Sequence, residues 1–360
     1  MTDLVDRSRT EPEGVREARR RGLPHGDALQ RFAALRIALT GESVVDLKRA
    51  WFTERSQVDR FLRLLGFDTD STLDMSRLSE FLREACDYLT ELHGYQIPHE
   101  VTQPKDVHDI FLMAASPYDD LQRAACMVLK VMHIMAHVAG RELGHSSNVS
   151  EAALLGRLTE RVFGTVDAMR HAGFVIREFA VGKKARNSVV TKLLASRGTH
   201  AATVFDRLRF RIVLEEPSEV AKALLFLTEN LIPFNYVVPG QSQNALLGED
   251  DLLLASGLSR EDLETFWPEA KGHYNLGQAA PVNEFSGKSY RAINFVADIP
   301  IRVDDLVDTC PAVAFVQAEI QLLDHQTALA NESGENAHGL YKQRQRERVR
   351  FRLEGRWKPV

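Results

Sequence analysis

Along the first 145 or so residues, apolar side chains recur at intervals of three and four. The pattern holds in DALQRFAALRIAL (27–39), SQVDRFLRLLGF (56–67), SRLSEFLREACDYLTELHG (76–94) and DDLQRAACMVLKVMHIMAHV (119–138). That spacing lines one face of an α-helix. Gly66, Gly94 and Gly140 stand where helices stop, and Pro98, Pro104 and Pro117 mark connections. A further helix starts at Asn148 or Ser150, both cap residues, carries Leu154, Leu155, Leu158, Val162, Val166 and Met169 as its stripe, and ends at Gly173. The period then changes. In FDRLRFRIVL (205–214) Leu208, Phe210, Ile212 and Leu214 alternate with Arg207, Arg209 and Arg211, which predicts a strand with one buried face. SEVAKALLFLTENLI (218–232) returns to helix and stops before Pro233. FNYVV (234–238), YRAINFVADI (290–299) and AFVQAEIQLL (314–323) read as strands, the last with Val316, Ala318, Ile320 and Leu322 facing one way and Gln317, Glu319 and Gln321 the other. Residues 325–345 read as a helix and VRFRL (349–353) as a short closing strand. The long connection 241–286 is expected to hold one small helix, because SREDLETF (259–266) opens with a capping box.

These elements predict an α+β chain: a disordered, highly charged lead-in (1–22), a helical domain (23–147), and a mixed sheet flanked by helices (148–360) with an insertion at 241–286. The boundary falls near 145–175. A length of 360 residues suffices for two such domains. Apolar residues make up 44% and charged ones 26%, the balance of a globular protein. The net charge of −5 argues against coating nucleic acid by bulk charge and leaves room for a local basic patch. Three scattered cysteines, Cys86, Cys126 and Cys310, form no metal-ligand pair and no disulfide framework, which suits a reducing cytoplasm. The most apolar run, 124–140, is interrupted by Lys130, His133 and His137, and is expected to be a buried helix and not a membrane span.

Three constellations carry candidate chemistry. From Phe179 to Phe205 there is no acid, while Lys183, Lys184, Arg186, Lys192 and Arg197 are present, with Gly182 ahead of a predicted helix. Glycine, cations and a helix N-terminus together suit polyphosphate oxygens, although a solvated basic face has the same composition. Asp206 and Glu319 lie on separate predicted strands, where two carboxylates can share one Mg²⁺ or be ordinary surface acids. Ser286-Gly287-Lys288-Ser289-Tyr290 places an aromatic ring beside a cation, suited to a base and a phosphate, or to packing at a strand start.

Residues 319–342, EIQLLDHQTALANESGENAHGLYK, resemble the terminal motif of RelA/SpoT-type alarmone synthetases through Glu319, Gln321, Glu332, Gly334, Ala337, His338, Tyr341 and Lys342. FDRLRFRIVL, GKKARNSVVTKLL (182–194) and SGKSYRAIN (286–294) are similar to that family's metal-binding strand, basic ATP loop and Tyr-containing turn, and the order agrees over about 176–345. The resemblance implies a nucleotidyltransferase-like fold and transfer of pyrophosphate from ATP to the 3′-hydroxyl of a guanine nucleotide or related acceptor. It implies that Asp206 and Glu319 hold Mg²⁺, with Glu319 also taking the hydroxyl proton. Lys183, Lys184, Arg186, Lys192 and Arg211 would hold the ATP phosphates. Tyr290 would stack on the acceptor base, Lys288, Asn294 and Gln321 would line the acceptor site, and His338 and Lys342 would support the wall behind the sheet or touch phosphate. Where the family has Arg-Thr and a histidine, this chain has Leu323-Asp324 and Asn294.

Two rival readings stay open: a nucleotide-binding regulator with a degenerate site, and a toxin-like enzyme acting on tRNA. The acceptor and any oligomer are not specified by the residues. His133 and His137, four apart on one helix, allow either a shared metal or a packed core pair. His108-Asp109 resembles the His-Asp pair of the hydrolase domain found in long alarmone enzymes, without recognisable surrounding ligands.

Overall fold

The computed structural model describes residues 26–116, 119–146, 149–183, 186–195, 208–267, 270, 289–307, 312–333 and 338–354. The lead-in expected at 1–22 lies outside them, as do Asn148, Asp206, Lys288 and Cys310.

The 3.6-residue period of the first half becomes helices α1 (Gly26–Thr40), α2 (Arg55–Leu64), α3 (Thr72–Asp87, continued by a π-turn over Tyr88–Leu92), the single turn α4 (His99–Thr102), α5 (His108–Met113) and α6 (Asp119–Ser146). Helix α7 (Glu151–His171) begins at Ser150, whose hydroxyl accepts from the Ala153 amide at 3.1 Å. Gly66 and Gly173 end their helices at φ +94° and +97°, a left-handed backbone that glycine adopts without a Cβ clash.

A five-stranded sheet follows, with order β1-β2-β5-β4-β3. Its strands are β1 (Ile176–Lys183), β2 (Leu208–Leu214), β3 (Gln243–Asn244), β4 (Ile293–Arg302) and β5 (Val313–Asp324). β2 and β5 run parallel, and the other pairs run antiparallel. Helix α8 (Arg186–Ala195) follows β1, and α9 (Val220–Asn230) follows β2. Helices α10 (Glu249–Ser256) and α11 (Arg260–Phe266) occupy the 241–286 connection. Helices α12 (His325–Asn331) and α13 (His338–Glu354) follow β5. Among the described residues no helix is long and apolar enough to cross a membrane.

The alternation in the strands places Leu208, Phe210, Ile212 and Leu214 with Phe295, Ala297, Ile320 and Leu322 on one buried face. Helices α7 and α9 cover it, with Phe163 of α7 packing edge-on against Phe179 of β1. The opposite face is divided. Helix α6 covers the end of the sheet where β5 starts, and the end where β5 finishes carries polar side chains. Apolar contacts run without a break from α1 through α6 into the sheet.

Gly140 was expected to stop a helix and instead lies inside α6, at the point where that helix crosses β5. A Cβ there would come within 2.5 Å of the Phe315 ring and 2.6 Å of the Val313 carbonyl oxygen. The glycine is a contact point between helix and strand. Gly140→Ala is expected to cost about 1–3 kcal/mol, because a backbone oxygen cannot step aside. Gly144→Ala, one turn on, meets open space and is expected to stabilise by about 0.5–1 kcal/mol. Urea unfolding of the two variants checks the pair.

Other expectations also change. FNYVV forms a 3-10 turn (Phe234–Tyr236) with a lone bridge from Val237 to Ala297, since the ring of Tyr236 is drawn against Phe315. VRFRL is the last stretch of α13 and not a strand; Arg and Leu are good helix formers, and α13 packs along α8. Residues 325–345 form two helices, α12 and α13, and not one. β1 and α10 were not foreseen at all.

Candidate functional site

The parallel register of β2 on β5 sets Arg209 beside Glu319 and Arg211 beside Gln321. The antiparallel register of β4 sets Asn294 on the other side of Gln321. All of these side chains leave the sheet on the face away from α7 and α9, because each lies an odd number of residues from the apolar row.

Gln321, 2% exposed, is the hub. Its side-chain oxygen accepts from Arg211 Nη1 at 3.0 Å. Its Nε2 donates to the Tyr290 hydroxyl oxygen at 2.8 Å and to Asn294 Oδ1 at 3.0 Å. A single buried amide thereby uses its acceptor and both donors. Arg211 also donates from Nε to Glu178 Oε1 at 3.0 Å, and its other terminal nitrogen lies 4.0 Å from Glu332. The row Glu178–Arg211–Gln321–Asn294 therefore crosses β1, β2, β5 and β4, with Tyr290 at its margin. Arg211 is held by neighbours on both sides, so its planar group is oriented before any ligand arrives. Tyr290 stands just ahead of β4, half-buried, in a segment clasped by Asn331 of α12. That side chain accepts from the Arg291 amide at 3.0 Å and donates to the Arg291 carbonyl at 2.6 Å.

Glu319 sits one step along the same face and is 8% exposed. Arg209 donates to its Oε1. The placement answers why a glutamate stands in an apolar strand: its neighbours Ala318 and Ile320 face the core, and its own face is polar. Beyond Gln321 on the same face Leu323, fully buried, packs with Val213 and Ala328 beneath α12. Asp324 caps that helix, accepting from the Thr327 amide at 2.9 Å and from its hydroxyl at 2.5 Å. The Leu-Asp pair thus seats a helix at the end of the polar face.

Of the residues singled out in the sequence, Arg211, Tyr290, Asn294, Gln321 and Glu319 come together. Lys183 lies in β1, Arg186 and Lys192 in α8, and His338 in α13, with side chains outside the described set, and Lys184, Asp206 and Lys288 lie wholly outside it. Lys342 is on α13, which packs along α8. Sequence reasoning passed over Arg209, Glu178 and Asn331 as site residues. Arg209 was visible on the polar side of its strand, but nothing in the sequence pairs β2 with β5.

A divalent cation takes oxygen ligands, and Glu319 supplies a carboxylate of that kind at the centre of the face. To bind one it has to exchange the Arg209 guanidinium, whose side chain is 40% exposed and has solvent to move into. Glu319 thus offers one oxygen ligand, already ion-paired with Arg209, and Asp206, the second carboxylate expected with it, lies outside the described residues. Among the described residues no group of three or more His, Cys, Asp or Glu side chains is gathered for a metal.

The histidines of the helical half do other work. His133 and His137 stack 6.2 Å apart, each against Tyr236, and His137 Nε2 lies 2.9 Å from Asp298 of β4. His108, fully buried, pairs with Asp106 through Nδ1 and with Asp59 at 2.8 Å through Nε2. Its partners are thus Asp106 and Asp59 and they tie α5 to α2. Burial raises the Asp106 carboxyl, but hydrogen bonds from His108 and Arg55 more than offset this and bring it down to about 2.

No protein-family model matches this chain. No curated protein matches it either. Among solved structures, the small alarmone synthetase 2 from Bacillus subtilis aligns with 56% of this chain and 76% of its own, at 11% identity and a TM-score of 0.27. A GTP pyrophosphokinase family protein from Streptococcus pneumoniae aligns with 56% of this chain and 83% of its own, at 12% identity and a TM-score of 0.31. The functional reading therefore rests on the side chains themselves.

Proposed function

We propose that the polar face of the sheet binds nucleotides and transfers a pyrophosphoryl group from ATP to a hydroxyl of a guanine nucleotide or related acceptor. The observation that supports this is the row Arg211–Gln321–Asn294 with Tyr290 at one side and Glu319 one step along. Tyr290 is half-exposed and offers a ring on which a base stacks. Asn294 presents its amide to an acceptor, Gln321 lies behind it and holds Asn294, Tyr290 and Arg211 in one row, and Arg211 presents a fixed guanidinium to phosphate. In the reaction the acceptor oxygen bonds to the β-phosphorus of ATP, the bridging α–β bond breaks, AMP departs, and the hydroxyl proton passes to a carboxylate oxygen of Glu319. The chain's task is to hold the two reactants in line, which is where most of the acceleration of phosphoryl transfer arises. In this reading Asp206 and Glu319 would hold Mg²⁺, which neutralises charge on the transferring group. Lys183, Lys184, Arg186 and Lys192 would gather the ATP phosphates, with His338 and Lys342 behind them and Lys288 beside Tyr290.

A second reading, binding without turnover, is favoured by one contact. Arg209 on Glu319 neutralises the carboxylate that would take the proton. One experiment separates the two. Purified protein with ATP and Mg²⁺ is offered GDP, GTP, ATP or tRNA, AMP is measured, and nucleotide binding is followed by calorimetry. AMP formation with any acceptor supports transfer. Binding without AMP supports the regulator. Neither binding nor AMP removes both.

A further inference from the structure

Helices α1, α2, α3, α5 and α6 leave between them a cavity of about 110 Å³. Its wall is built mainly from Phe52, Phe61, Phe81, Phe111, Leu62 and Leu129. At the inner end stand His133, Asn235 and Tyr236. Asn235 Nδ2 lies 3.1 Å from His133 Nδ1, and burial, with a smaller effect of His137, lowers the His133 pKa to about 4. The imidazole is therefore neutral near pH 7, and the inner end of the chamber is uncharged.

The outer end differs. Leu47, Arg49, Trp51, Cys126 and Lys130 line this chamber and also a wider cleft of about 1340 Å³ between the 42–49 loop, α6 and α11. The two spaces thus share one rim. That rim carries two cations, Arg49 and Lys130, and neither forms an ion pair among the described residues. Arg49 lies instead over the Trp51 ring at 5.6 Å. Across the cleft Arg36 is paired with Glu42, and Arg123 with Asp120. The rim cations are the ones left for a ligand.

An apolar chamber with a few polar groups at its ends is the usual build of a small-molecule site. A cavity of about 150 Å³ lined by such side chains accommodates benzene. The chamber here is slightly smaller. The geometry points to a binding site for a small amphipathic anion, with an aliphatic tail of about five or six carbons in the chamber and a carboxylate at the rim held by Arg49 and Lys130. Tail and head are both required. A neutral molecule leaves the rim cations unused, and a purely polar anion leaves the chamber unfilled. The site is independent of the sheet's polar face and of any reaction there.

Hexanoate is the probe, titrated into the full chain by calorimetry and by Trp fluorescence, since Trp51 belongs to the rim. Saturable binding at millimolar concentration or tighter is expected, weakened by added salt. Hexan-1-ol is expected to bind about tenfold more weakly, lacking the charge-assisted contacts. A double variant, Arg49→Ala with Lys130→Ala, is expected to weaken hexanoate about tenfold or more while the unfolding midpoint stays put. Ala136→Leu, which narrows the chamber, is expected to abolish saturation. If that variant fails to fold, the rim variant decides. The inference is overturned if hexanoate does not saturate the wild-type chain, if hexan-1-ol binds as well, or if the rim variant binds hexanoate undiminished.

Discussion

Replacing Glu319 by glutamine is expected to lower AMP formation by about 10²–10⁴-fold, the usual worth of a positioned general base. The substitution keeps the shape of the side chain and a carbonyl oxygen that still accepts from Arg209. It removes the negative charge and the capacity to take a proton. Nucleotide affinity is expected to change far less than turnover, because Tyr290, Asn294, Gln321 and Arg211 remain in their hydrogen-bonded row. Steady-state rates and calorimetry on the same preparation separate the two effects. Should turnover survive Glu319→Gln within a factor of a few, this carboxylate has no part in proton transfer. Arg209→Gln adds a second readout. If the guanidinium only masks the carboxylate, turnover rises; if it also meets phosphate, turnover falls and ATP binds more weakly.

The largest expected stability effect lies at Arg302, where β4 meets the helical half. Its guanidinium donates to both carboxylate oxygens of Asp74 in α3, to the Gly66 carbonyl at 3.0 Å and to Asp304. Asp74 is fully buried and accepts also from the Asp68 amide at 2.7 Å and the Ser71 hydroxyl at 3.1 Å. Arg302→Met leaves this carboxylate inside the protein without its cation. Loss of one partner of a buried pair costs about 3–5 kcal/mol, and the lower end applies here because the Arg302 side chain is one-third exposed. A double variant, Asp74→Asn with Arg302→Met, is expected to recover part of the loss, and urea midpoints read both.

The same pair carries a pH dependence. Burial raises the Asp74 carboxyl, and the hydrogen bonds led by Arg302 outweigh it, so its pKa lies below the ordinary value of 3.8. A carboxyl whose folded pKa is depressed stabilises the fold above its unfolded pKa. That contribution drains as pH falls through the folded one. The stability gap between the wild-type chain and Arg302→Met is therefore expected to be widest near neutral pH and to narrow as pH falls below the ordinary carboxyl value of 3.8, which urea midpoints along a pH series measure.

Much of the architecture could be read from periodicity. Spacings of three and four marked α1, α2, α3, α6 and α7, and alternation marked β2, β4 and β5, because burying one face demands a fixed repeat. Where the signal failed, a tertiary contact overrode a local rule. Gly140 reads as a stop until Phe315 lies against it, and FNYVV reads as a strand until Tyr236 turns onto the same ring. α10 was hidden by its acidic start and weak periodicity. β1 escaped because a bulge between Ile176 and Glu178 and the consecutive Phe179, Ala180 and Val181 break the alternation.

By itself, the order of residues determined which strands bear polar side chains on one side and which helices bury a stripe, since both follow from distances of a few residues. It also brought forward Arg211, Tyr290, Asn294, Glu319 and Gln321 as residues with chemistry to offer. Only the folded chain decided that Arg209 meets Glu319 and that Gln321 joins Arg211 to Tyr290. Those pairings depend on the parallel register of β2 on β5, between residues more than a hundred positions apart. No local repeat encodes such a register; it is selected by the packing of the whole core.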